Sequence, residues 1–84
     1  MKARTIGRYR IGSRVVAYNR GIVLAIGPLV GGRMSRTGVL LVLDDKSRRK
    51  MPVDLDEVIG ERTWKRQLKS IGIWRAAQAE YDRA

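Results

Sequence analysis

The chain contains neither cysteine nor histidine. The usual zinc sites, thiol nucleophiles and imidazole general bases are therefore excluded, and no disulfide can staple the fold. An enzyme built from this chain would have to work with carboxylates, Lys, Tyr or Ser alone. We therefore read it as non-enzymatic and expect no cofactor, metal or small-molecule substrate. Phe is absent too, and two Trp and three Tyr are too few to furnish an aromatic cage for methylated Lys. The longest apolar run, Val39 to Leu43, is far too short to cross a bilayer. Ile6 and Ile11 stand isolated, so no signal-like apolar stretch follows the basic N-terminus. The expectation is a cytoplasmic setting, nucleoid-associated if the source is bacterial, with no membrane partner.

One sign of charge is also missing from the first half. No acidic side chain precedes Asp44, whereas Lys2, Arg4, Arg8, Arg10, Arg14, Arg20, Arg33 and Arg36 are all basic. The formal net charge is +10 over 84 residues. Displacing condensed counterions from phosphates favours association, so a lopsided positive field is the footprint of a polyanion binder. Charge that merely kept a protein dispersed would need the sum but not the asymmetry. With 44% hydrophobic and 31% charged residues, the chain can build one small core and is not disordered by composition.

Residues 1–10 have little apolar periodicity and read as a flexible basic arm. Four β-type runs follow: Arg14 to Tyr18, Gly21 to Ile26, Val39 to Leu43 and Arg48 to Val53, the last placed at a sheet edge by Pro52. Gly or Asx residues punctuate them, which favours a compact antiparallel barrel over a βαβ unit. Asp54 to Glu57 has the D-x-x-E pattern of a capped single helical turn. After Gly60 the period changes. Trp64, Leu68, Ile71 and Trp74 recur at spacings of four, three and three, and predict one amphipathic helix from Glu61 to Tyr81, with Gly72 as its weak point.

Gly27 to Ser35 looks like a phosphate-cradling loop, but Arg33 stands where Lys belongs and Met34 where a hydroxyl belongs. A strand rather than a helix follows, so nucleotide hydrolysis is set aside. The stretch reads instead as a Gly-rich hairpin tip carrying Arg33 and Arg36 toward a phosphate backbone. Asp44-Asp45 reads as turn chemistry and not as a metal pair, because adjacent strand residues point to opposite faces. Arg48, Arg49 and Lys50 form the densest basic run; a nucleic-acid contact and a charged, aggregation-resistant edge remain equal readings of it. Arg62, Lys65, Arg66 and Lys69 make a second basic group on the tail helix. Tyr9 and Tyr18, flanked by Arg8, Arg10 and Arg20, are candidates for stacking on bases, and Tyr18 reads equally as a half-buried strand residue. The Trp residues read as packing anchors, against the barrel or against a partner.

Gly12-Ser13-Arg14-Val15-Val16, then Gly21-Ile22-Val23, then Gly38 to Leu43 resembles the opening of small SH3-like barrels. These include KOW and Tudor-like modules and the RNA polymerase-interacting domain of CarD-type regulators. Met51-Pro52-Val53 and the segment after it likewise resemble the closing strand and one-turn helix of such barrels. The likeness covers residues 11–59. The Trp-bearing tail departs from the CarD-type pattern, which carries a larger helical domain. The resemblance implies a small SH3-like antiparallel barrel over 11–59, preceded by the arm at 1–10 and followed by the helix at 60–84. From the charge we expect non-enzymatic, phosphate-led binding of DNA or RNA with weak base preference, in transcription, translation or mobile-element biology. The expected contact surface is Arg8, Arg10, Arg14, Tyr18, Arg33, Arg36, Arg48, Arg49, Lys50, Arg62, Lys65, Arg66 and Lys69. The alternative is an adaptor docking on RNA polymerase or another large complex through a barrel edge or the Trp64, Leu68, Ile71 and Trp74 stripe; a ribosome-associated protein is a third reading and implies the same basic surface.

Overall fold

The computed structural model describes residues 5–34, 38–69 and 72–83, and it is mainly β. Strands β1 (Thr5–Ile6) and β2 (Tyr9–Arg10) form a small hairpin. A five-stranded antiparallel sheet follows, made of β3 (Arg14–Asn19), β4 (Ile22–Met34), β5 (Gly38–Leu43), β6 (Lys50–Asp54) and β7 (Val58–Gly60). Its order is β6-β5-β4-β3-β7. One 3-10 turn, Leu55–Glu57, joins β6 to β7, and helices α1 (Glu61–Leu68) and α2 (Gly72–Arg83) end the described chain.

The sheet has to curl. Its two edges, β6 and β7, are joined across only Leu55–Glu57. Four Cα steps reach at most about 15 Å, whereas five flat strands would hold their outer members about 19 Å apart. The long strand β4 makes the bend, pairing with β3 from Ile22 to Pro28 and with β5 from Leu29 to Met34. At the β3–β4 hairpin, Arg20 (φ 51) and Gly21 (φ 79) supply the two left-handed residues that a type I′ turn requires.

Two apolar clusters result, one on each side of the sheet. Inside the curl lie Val15, Ala17, Ala25, Leu29, Leu40 and Val42, all 1% exposed or less, capped by Ile6 of the hairpin. On the outer face, Val16, Val23 and Ile26 pack beneath Trp64 of α1 and Ala77 of α2. Strand β3 is thus buried on both faces, which is why Val15-Val16-Ala17 reads as an unbroken apolar run.

Several expectations are corrected. Over its described residues the flexible arm is an ordered hairpin, with Ile6 buried and the Tyr9 hydroxyl donating to the Val58 carbonyl at 2.9 Å. The Gly-rich tip is strand: β4 continues through Gly27-Pro28 to Met34. Gly27 is required there because a Cβ would overlap the Leu43 carbonyl oxygen. The fourth strand starts at Lys50, so Arg48 and Arg49 belong to the turn before it, Arg48 with φ 62. Asp54 occupies the N-cap position of the 3-10 turn but makes no side-chain capping bond. The tail is two helical segments, not one. A straight helix would set residues 64 and 74 about 15 Å apart along its axis, yet the rings of Trp64 and Trp74 meet edge to face with centroids 5.1 Å apart.

Candidate nucleic-acid interface

Helix α1 carries the clearest grouping of basic side chains. Trp64 points inward and is 1% exposed, and Leu68, one turn later, is half-buried against the same cluster. At 100° per residue, Arg62, Lys65, Arg66 and Lys69 fall within an arc of about 100° on the opposite side. All four are exposed. From Arg62 to Lys69 the ridge spans about 10 Å, close to the rise of three base pairs of duplex. Arg75 of α2 braces the end of α1, its guanidinium donating to the carbonyls of Leu68 at 3.2 Å and Lys69 at 3.3 Å.

The other expected contacts are distributed as separate groups. Arg48, Arg49 and Lys50 are exposed at the β5–β6 turn and the start of β6. Arg8 and Arg10 are exposed on the β1–β2 hairpin, where the Arg8 guanidinium lies 5.5 Å from the Tyr9 ring centre. Arg33 pairs in register with Val39, and Lys50 with Leu43. Both therefore lie on the outward face of this half of the sheet, about 13 Å apart along the strand direction. Arg36 and Ile71 lie outside the described residues.

Two expected contacts are committed elsewhere. The Arg14 guanidinium is held between Glu61, with Nε donating at 2.9 Å, and Asp45. Those two carboxylates, Glu61 foremost, push its proton affinity above the ordinary guanidinium range. Arg14 is thus a tie between β3, the β5–β6 turn and α1, with its charge locally neutralised. Of the two readings of Tyr18 the half-buried strand residue holds: it lies in β3, with its ring packed 5.0 Å from Trp74 and 5.6 Å from Trp64. Trp64 offers a partner no surface, and its indole N–H is engaged by Gln78 Oε1 at 2.7 Å. By contrast, none of Arg8, Arg10, Arg20, Arg33, Arg48, Arg49, Lys50, Arg62, Lys65, Arg66 and Lys69 is paired with a carboxylate among the described residues.

Asp44 does more than shape a turn. It is 5% exposed, and its carboxylate accepts the Ile26 N–H at 3.1 Å, the Ser47 N–H at 2.8 Å and the Tyr81 hydroxyl at 2.7 Å. Burial, the largest single influence, pushes its pKa up. The donors from Ser47, Tyr81 and Ile26 together outweigh it and hold the group below the ordinary carboxylate range. Burial and the same bond push the Tyr81 hydroxyl well above its ordinary value. One carboxylate thereby fastens α2 and the β5–β6 turn to β4. No sequence signal reported this role, since its donors stand 18 and 37 positions away.

Among the described residues no cluster of three or more acidic side chains is placed to hold a metal ion. No helix among them is long and apolar enough to cross a membrane. Comparison with family models, with curated proteins and with solved structures returns no match.

Proposed function

We propose that the protein binds nucleic acid without catalysis, through the phosphate backbone and with little base preference, in transcription, translation or mobile-element biology. The observation that carries this reading is the ridge along α1 and its C-cap Lys69, where four cations with no carboxylate partner among the described residues share one exposed arc. The unpaired groups at the β5–β6 turn and on the hairpin extend the same field over neighbouring surface. Side chains left without carboxylate partners keep their charge for a polyanion, and each phosphate they meet releases a condensed counterion. A cytoplasmic setting accompanies the reading.

The placement of the aromatic rings narrows the ligand. Tyr18, Trp64 and Trp74 pack on one another, Tyr9 is bonded to Val58, and Tyr81 is bonded to Asp44 beneath Lys46. All five aromatic side chains of the chain are thereby engaged in the fold. Single-strand binders stack bases on exposed rings, whereas duplex binding through the backbone needs none. The favoured ligand is duplex. Titrating the protein against a duplex and against either of its separated strands tests this, with the duplex expected to bind about tenfold tighter or more at equal salt. Equal or tighter binding of the single strand would refute the duplex assignment, and retention unaffected by salt would refute phosphate-led binding altogether.

A further inference from the structure

We propose that the free edge of β4 beside α2 is a docking groove for an extended, acidic segment of a partner polypeptide, which joins the sheet there as a short added strand. The proposal does not use the α1 ridge that carries the phosphate-binding reading; of the basic groups named there it shares only Arg48 at the β5–β6 turn. Between Ile22 and Pro28, β4 pairs with β3 on one side only; its ladder with β5 begins at Leu29. The opposite edge is satisfied at Ile26, whose N–H meets the Asp44 carboxylate at 3.1 Å and whose carbonyl accepts the Asp45 N–H at 2.8 Å. Asp44-Asp45 thus already behaves as a fragment of neighbouring strand.

Past that fragment the ladder continues with no partner strand among the described residues. Main-chain groups alternate in direction along an antiparallel strand, so Ile26, aimed away from β3, makes Ala17–Ala25 the bonded pair. Leu24 is the extra residue of a bulge between Ala25 and Val23. The next registered pair, Tyr18 with Val23, is then a non-bonded one, and the Val23 N–H and carbonyl face the open edge. That edge borders a cavity of about 550 Å³, with the β5–β6 turn as one wall and Ala77, Glu80 and Tyr81 of α2 as another.

The side chains around the groove set the kind of occupant. Ile22 is 59% exposed and Leu24 39%, and both line the cavity; Ile73, 63% exposed, lies beside Gly21. An open ladder position flanked by aliphatic side chains is the arrangement that receives an added strand. Lys46 lines the groove with its ammonium engaged by the Tyr81 carbonyl and ring, while Arg20 and Arg48, chain neighbours of the lining residues Gly21 and Ser47, are exposed at turn positions. Of the two acids lining it, Asp44 is already bonded to three donors and Glu80 lies 3.9 Å from Arg83. A chain of net charge +10 attracts an acidic segment and repels a basic one.

The probe is a set of fluorescein-labelled dodecapeptides with Val, Ile or Thr at alternate positions and Asp or Glu between them, titrated by anisotropy against the full chain. Companion sets carry Lys in place of the acids, or Pro at the two central positions. The acidic set is expected to bind about tenfold tighter or more than the Lys set, and the Pro set to lose binding because it cannot complete the ladder. Amide exchange at Val23 should slow with bound peptide. The double variant Ile22→Asp, Leu24→Asp, at two exposed positions, should lose the peptide while keeping its helical and sheet signal and its retention on duplex DNA. The proposal is overturned if no acidic peptide of the set binds, if the Pro set binds equally, or if the double variant retains the peptide. It is equally overturned if Val23 becomes protected with rising protein concentration alone, which would make a second copy the occupant.

Discussion

Replacing Asp44 probes how the two ends of the chain are held together. In Asp44→Asn the retained oxygen can still accept from Ile26 and Tyr81, but the amide NH2 confronts the Ser47 N–H and the charge is lost. Bonds to a charged acceptor contribute about 1.5–3 kcal/mol each and neutral ones about 1 kcal/mol, so exchanging three of the first for two of the second costs about 2.5 kcal/mol at the low end. Asp44→Ala leaves the Ile26 N–H and the Tyr81 hydroxyl without that partner, at about 1–3 kcal/mol each, or about 4 kcal/mol together. A chain of this size is stabilised by about 4–13 kcal/mol in total, so the Ala variant sits close to unfolding. Urea denaturation followed by Trp fluorescence measures both, and Tyr81→Phe should show coupling to Asp44→Asn of about 1 kcal/mol in a double-mutant cycle. The pH dependence has a definite sign. A carboxyl held below its ordinary range contributes fully above the unfolded-state value of about 3.9 and loses that contribution as pH falls through the lower folded-state value. The stability gap between wild type and Asp44→Asn should therefore narrow as pH is lowered from about 4 toward 2. A gap below about 0.5 kcal/mol at neutral pH, or one that persists undiminished in acid, would refute the latch.

Three further substitutions separate structural from binding roles. Gly27→Ala should cost more than about 3 kcal/mol or prevent folding, because its Cβ would overlap the Leu43 carbonyl; Gly31→Ala, whose Cβ would meet only Leu41 Cδ1 at 3.5 Å, should stay within about 1 kcal/mol of wild type by denaturant titration. Trp64→Ala should lose about 3–5 kcal/mol, seen as a lowered midpoint in thermal denaturation, as befits a ring packed in the core. Arg14→Ala removes an exposed pairing with Glu61 and Asp45, so it should cost about 1 kcal/mol or less and change duplex affinity by less than about twofold.

Much of the fold could be read from local pattern. Val15-Val16-Ala17, Gly21-Ile22-Val23 and the run from Val39 to Leu43 each carry β-branched residues bounded by turn formers, and each is a strand. Gly27-Pro28 misleads because those residue types usually end a strand. Here the glycine admits the close approach of Leu43, and the alternation that aims Ile26 away from β3 aims the Pro28 nitrogen away as well, so no bond to β3 is lost. The helical period of the tail was legible, but α1 ends at Leu68, ahead of the expected weak point Gly72, which opens α2, and the return of Trp74 onto Trp64 depends on the outer face of β3 and β4 that both helices cover. The candidate interface was legible as a count of charges and not as a surface. Arg14 has its partners 31 and 47 positions away, and Tyr18 packs against rings from both helices; neither distance is written in local composition. The α1 ridge, whose geometry follows from helical spacing alone, was the part a sequence could define.

The most direct test of phosphate-led binding is the salt dependence of duplex affinity for the wild type and for the variant Arg62→Ala, Lys65→Ala, Arg66→Ala, Lys69→Ala. If each side chain meets one phosphate, the slope of log affinity against log salt should fall by about 3.6, four contacts at about 0.9 each. Between 50 and 200 mM salt that difference amounts to about two orders of magnitude in affinity. An unchanged slope in a variant that remains folded would contradict the account.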